Sequence, residues 1–174
     1  MKNILITGIP QSGKTMLLRK LATVFKEFNA TGFYTQEIVK DGARVGFEMF
    51  NLSGDGRVIA HTDFKSKVAV GRFKVDVKTF EKFMEEILGD EKKVNIYFVD
   101  EIGKMECFSK KFSKKIVELL NSEKPVIATI SEKGTGLIAD IKKRSDVRLI
   151  EINPVNRDLK LKELTLLIRD LLIE

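Results

Sequence analysis

GIPQSGKT, residues 8–15, decides how this chain is read. Two glycines bracket four variable residues, and a lysine and a threonine follow. Gly8 and Gly13 let the backbone of Ile9, Pro10, Gln11 and Ser12 turn tightly, so that N–H groups converge into an anion nest. A helix opening at the end of such a turn adds its dipole to the same site. Lys14 brings a point charge suited to β- and γ-phosphates. Thr15 brings a hydroxyl, the hard oxygen that Mg²⁺ prefers. The string satisfies G-x-x-x-x-G-K-[ST], the Walker A phosphate loop, whose confirming context is a strand before it and a helix after it. Both are predicted here. KNILITG is a short apolar run, and Leu17, Leu18, Leu21, Val24, Phe25 and Phe28 recur at helical spacing, which predicts a helix over 14–28.

Working outward, TGFYTQEIVKDGARVGFEMFNLSGDGRVIAH alternates aromatic and β-branched segments with the breaks KDG and SGDG. It reads as two consecutive hairpins or a three-stranded meander. Phe80, Phe83, Met84 and Ile87 define one face of a helix over 77–88. VNIYFVDE is a second buried strand, and Ser109 caps a helix running to Leu120. PVIATI is a third buried strand. A helix over about 136–144, the strand VRLIEI and a leucine-rich helix over 158–173 complete the chain. Strands alternating with helices predict an α/β fold: a mostly parallel sheet covered on both faces, with an antiparallel meander inserted after the first helix. No linker or repeat divides residues 1–174, so one phosphate-loop domain is expected.

The strand IYFVDE ends in two acids. Asp100 is placed to share a metal with Thr15, usually through water. Glu101 is placed to take a proton from an attacking water. Asp100 and Gly103 also satisfy D-x-x-G, the γ-phosphate sensor of guanine-nucleotide switches, but no N-K-x-D guanine-reading element accompanies it. Phosphoryl transfer also needs a cation at the γ-oxygens. Lys104 is the first candidate, and Arg44 and Arg157 are the others. Thr129 or Ser131 could hydrogen-bond the γ-phosphate or the water. Asn156 and Arg157 lie in a loop where an Arg plane could stack on a base of any identity.

Composition narrows the chemistry. A single His, His61, removes histidine metal sites and Ser/His/Asp triads, and a single Cys, Cys107, removes an internal disulfide framework. The latter fits a reducing compartment, so a cytoplasmic location is expected. The N-terminal apolar run is too short for a signal peptide, and no run approaches the ~20 residues of a membrane span. The net charge of +6 is spread among mixed acids and lysines, so nucleic acid is a possible partner but not the favoured one. Hydrolysis of nucleoside triphosphates leads. Phosphotransfer by a nucleotide or polynucleotide kinase is the alternative, although the eight arginines are scattered and form no lid. A nucleotide-gated protein that binds RNA or another partner is the third reading.

GIPQSGKT, GFYTQEI…GARVGFEMFNL, VDEIGKME and NRD, in this order and across essentially the whole chain, resemble the THEP-type nucleoside-triphosphatase family, a small bacterial and archaeal group related to the human cancer-related nucleoside-triphosphatase. The resemblance implies a P-loop α/β fold with strands inserted ahead of the Asp100 strand. It also implies Mg²⁺-dependent hydrolysis of several nucleoside triphosphates with broad base tolerance. Nucleotide contacts are implied from residues 8–15 and from Phe98, Val99, Asp100, Glu101, Ile102, Gly103, Lys104 and Met105. Cys107 stands where the family tends to carry Leu, so it reads as a small hydrophobe.

Overall fold

The structure is a computed structural model that describes residues 1–90 and 92–173. The first strand, β1 (Asn3–Thr7), has a parallel neighbour on each side, and every residue of it is buried. That burial explains why the run is apolar without alternation: strands covered on both faces need no polar side. The first helix, α1 (Lys14–Val24), follows directly from the glycine loop. It is shorter than the predicted 14–28. The chain tightens into a 3₁₀ turn at Lys26–Phe28, and Asn29 turns left-handed (φ 52°) to release the next strand.

That strand, β2 (Ala30–Lys40), has two partners. It runs parallel to β7 (Ile96–Ile102) over its first residues and antiparallel to β3 (Ala43–Asn51) along most of its length. β4 (Gly56–His61), β5 (Ala69–Val70) and β6 (Phe73–Val75) extend the antiparallel part. The expected meander is therefore present, but its first strand belongs to the parallel sheet as well. With β8 (Val126–Ile130) and β9 (Val147–Glu151), nine strands among the described residues form one sheet in the order β5-β6-β4-β3-β2-β7-β8-β1-β9. The pairs joining β2, β7, β8, β1 and β9 are all parallel. The predicted α/β class, with a mostly parallel core sheet, is what the structure has.

Alternation along the strands sends side chains to two separate cores. Ile4, Ile6, Phe98 and Ile127 face α1 and α5 (Arg157–Ile173). Leu5, Tyr97, Val99 and Ala128 face α2 (Val77–Leu88), α3 (Lys110–Asn121) and α4 (Leu137–Lys142). α4 is shorter than the predicted 136–144 and buries only Ile138 and Ile141. The α3 cap falls where the sequence puts it, with Ser109 accepting from the Phe112 amide. Gly32 is required where β2 meets β7, because a Cβ there would collide with the Phe98 carbonyl. The parallel strands end at a common edge, the usual ligand side of an α/β sheet. Beyond that edge β2 and β3 continue as a projecting wall, since β2 pairs with β7 only over Ala30–Phe33.

Candidate active site

A cleft of about 1210 Å³ opens at this edge. Its floor is the glycine loop. Gly13 adopts φ 95° at the start of α1, and no side chain caps the first amides of that helix. Uncapped N-terminal N–H groups with a favourable dipole are the elements of an anion site. The Lys14 ammonium lies over the loop, donating to the carbonyls of Gly8 (2.8 Å) and Ile9 (3.2 Å). The Ser12 hydroxyl is buried in the loop with no hydrogen-bond partner among the described residues.

Asp100 is the node of the site. It is 1 % exposed and carries four hydroxyl or amide contacts from three directions. The Thr15 hydroxyl reaches its carboxylate at 3.0 Å from α1. The Thr35 N–H (3.0 Å) and hydroxyl (3.2 Å) reach it from β2, and the Thr129 hydroxyl (2.5 Å) from β8. Burial pushes its carboxyl above the ordinary range, and the bonds from Thr129, Thr35 and Thr15 oppose that shift. Glu101 follows across a cis peptide and lines the cleft. The Ser131 hydroxyl donates to Glu101 Oε1 at 3.1 Å. Burial and the neighbouring Asp100 charge raise the Glu101 carboxyl, while Lys14 and Ser131 pull it down.

Several expectations are corrected here. Phe98, Val99 and Ile102 are wholly buried in the two cores and present no side chain to the cleft. Met105 packs against the core instead. Gly103 and Lys104 lie outside the cleft lining, and Lys104 is exposed. The reason is a turn just after β7: the Cys107 amide returns to the Gly103 carbonyl, which carries Glu106 inward and Lys104 outward. The Thr129 hydroxyl donates to Asp100 and the Ser131 hydroxyl to Glu101, so both residues sit beside the two carboxylates. Gly8, Pro10, Gln11, Gly13, Lys14 and Thr15 line the cleft, as do Asp100, Glu101, Arg44 and Arg157. Asn156 is a loop-former, its amide oxygen accepting from the Asn153 N–H at 2.9 Å. Arg157 packs on Gly13, its guanidinium 2.9 Å from where a Cβ would stand. His61 ends β4 and accepts the Asp63 amide in a local turn. Cys107 is half-buried and its thiol is pushed up to about 11, mainly by burial, which suits an inert hydrophobe.

Three residues in the site carried no legible sequence signal. Thr35 sits in TGFYTQE, where it reads as an ordinary strand residue. Arg19 reads as the polar face of α1. Glu106 reads as a surface acid after Lys104, yet it is 5 % exposed. At Gly103 a Cβ would stand 2.7 Å from Glu101 Oε1, 2.9 Å from Ser131 Oγ and 3.0 Å from Glu106 Oε2. Glu106 and Glu101 therefore share one small space, and burial together with the Glu101 charge raises the Glu106 carboxyl well above the usual range.

Among the described residues no cluster of three or more His, Cys, Asp or Glu side chains could hold a metal. The available donors are the Thr15 hydroxyl and the Asp100 carboxylate, all oxygen and mutually in contact. A small hard cation that takes one or two protein oxygens and completes its shell with phosphate and water fits this set.

The family model described as NTPase matches residues 3–165. The chain belongs to the THEP1 nucleoside-triphosphatase family. The family member THEP1 of Thermotoga petrophila is 41% identical over 162 residues, covering 92% of this chain and 89% of that protein. The crystal structure of the family member from Aquifex aeolicus superposes with a TM-score of 0.85 at 34% identity, over 95% of this chain and 98% of that one. The solution structure of a human cancer-related nucleoside triphosphatase gives 0.83 at 28% identity, over 98% of each chain. These likenesses span the fold from the phosphate loop to α5, as the sequence motifs imply.

Proposed function

We propose that this chain hydrolyses nucleoside triphosphates to diphosphate and phosphate, with Mg²⁺ as cofactor and without strict selection of the base. The observation that carries the reading is the contact between Thr15 and Asp100, which joins the phosphate loop to a buried carboxylate whose neighbour, Glu101, opens to the same cleft. The loop amides and Lys14 hold the phosphate chain. Thr15 and Asp100 would hold the metal. When bound, Mg²⁺ withdraws charge from the phosphate oxygens and so eases P–O cleavage. The Glu101 carboxylate takes a proton from the attacking water at one of its oxygens, and Ser131 fixes that group in position. Thr35 and Thr129 donate to Asp100 and so favour its charged form against the opposing effect of burial. Arg157, resting on the loop, adds affinity for the nucleotide. The absence of N-K-x-D from the sequence supports broad base acceptance.

Glu101→Gln tests the assignment. The variant should bind triphosphate within about threefold of the parent and lose roughly 10²-fold or more in kcat, the usual worth of a positioned base. Phosphate release from ATP, GTP, CTP and UTP, beside binding of a fluorescent nucleotide, measures both. Turnover that survives the substitution removes Glu101 from the chemistry.

A further inference from the structure

Negative charge that builds on a transferred phosphoryl group is stabilised most by a cation already fixed in place, because no reorganisation is then needed as the bond breaks. The cations suggested by the sequence do not meet this condition. Lys104 is outside the cleft. Arg44 is in the cleft but donates to Glu37 at 2.7 Å. Arg157 rests on Gly13, so it meets the phosphate loop in the ground state as much as later, which favours binding over turnover. Lys133 and Arg19 both line the cleft and both are exposed, but Lys133 sits on a bend next to Gly134 and stacks on no ring among the described residues.

Arg19 is different. It follows Thr15 by four residues in α1, on the same helix face, and both line the cleft. Four helical residues advance ~6 Å, and helical side chains lean toward the N-terminus, so Arg19 leans toward the phosphate loop. Its guanidinium carbon lies 4.3 Å from the centroid of the Tyr34 ring. Tyr34 is itself stacked on Phe50, with centroids 5.4 Å apart and planes 16° from parallel. The residue after Tyr34 is Thr35, which holds Asp100 by its N–H and its hydroxyl. Tyr34 and Thr35 are thus adjacent residues of β2, one stacked under Arg19 and the other donating to Asp100. No carboxylate among the described residues pairs with Arg19.

We propose that Arg19 is the catalytic cation of this site, supplied by the chain itself. Its guanidinium, clamped on Tyr34, donates hydrogen bonds to the γ-phosphoryl oxygens as water bonds to phosphorus and the bond to the leaving diphosphate breaks. The diphosphate leaves with the electron pair, the proton of water passes to Glu101, and Arg19 keeps all its protons. This role rests on the hydrolytic reading given above.

The experiment compares the parent with Arg19→Ala, Arg19→Lys and Lys133→Ala. Arg19→Ala should lower kcat by about 10²-fold or more, toward the range known for such arginines, with the Kd for a fluorescent nucleoside diphosphate within about threefold of the parent. Arg19→Lys keeps the charge but loses the planar fork and should remain strongly impaired. Added guanidinium should restore part of the Arg19→Ala rate. The parent should trap ADP with aluminium fluoride, a phosphoryl mimic, and Arg19→Ala should not. A kcat for Arg19→Ala within about threefold of the parent overturns the proposal. So does a loss confined to nucleotide affinity, or a kcat loss seen only in Lys133→Ala. If the parent itself releases no phosphate from any triphosphate, the hydrolytic reading fails and the role of Arg19 falls with it; a parent that turns over beside an equally active Arg19→Ala overturns the role of Arg19 alone.

Discussion

At the scale of the residue, the site is a problem of buried carboxylates. Asp100 has four donor contacts, which oppose the upward push of burial on its carboxyl. Among the described residues no side chain is seen donating to Glu106, which has backbone amides instead, and burial raises its carboxyl. A folded-state value above the unfolded one means that the native state binds the proton more tightly. The stability this confers is complete below the unfolded value of about 4.5 and is lost as pH rises through the raised folded value. Glu106→Gln, which cannot ionise, should therefore melt higher than the parent at pH 8, by roughly 2–4 °C for each kcal/mol gained, with the difference shrinking toward pH 4. Thermal melts across that range measure it, and a gap that widens toward acid would reverse the assignment. Neither the burial of Glu106 nor the role of Thr35 is legible in the sequence. Thr35 acts on Asp100, 65 residues away, and Glu106 is turned inward by the local turn after β7; residue type alone does not say which way a side chain turns.

The elements were more legible, because each rests on a local physical cause. β1, β7 and β8 are unbroken apolar runs since both faces of the sheet are covered. α3 starts where Ser109 can cap it, and that serine also donates to Glu81 of α2 at 2.7 Å. Ser109→Ala should cost ~1–2 kcal/mol, a lost cap together with a partly buried hydrogen bond. Chemical denaturation reads the change, and a loss below about 0.3 kcal/mol would show that the cap contributes nothing. The elements read less well are those set by long-range packing. The α1 periodicity continues through Phe28, but Asn29 and the pairing of Ala30 with Ile96 end the helix early. β5 and β6 are two and three residues long; β6 adds to the edge of β4, and β5 adds to β6.

At the scale of the whole molecule, the cleft gathers the phosphate loop, the acids of β7 and the projecting wall of β2 and β3 at one end of the sheet. No helix among the described residues is long and apolar enough to cross a membrane. The net charge of +6 is dispersed along the chain, which argues for a small-molecule substrate over a polyanion track. Phosphate release should accordingly change less than about twofold when RNA is added at low salt. A large stimulation that fades with added salt would instead identify nucleic acid as a partner. The sequence by itself determined the glycine loop between a strand and a helix, most of the order of strands and helices, and the place of Asp100 and Glu101 at the end of a buried strand, because each depends on residue types at short spacing. Only the tertiary structure decided which cations enter the cleft, that Thr35 and Thr129 hold Asp100, and that Lys104 turns away. Those facts follow from how the end of β7, the start of α1 and the outer half of β2 converge at one edge of the sheet, and residues 15, 35, 100 and 129 become neighbours only once that edge has formed.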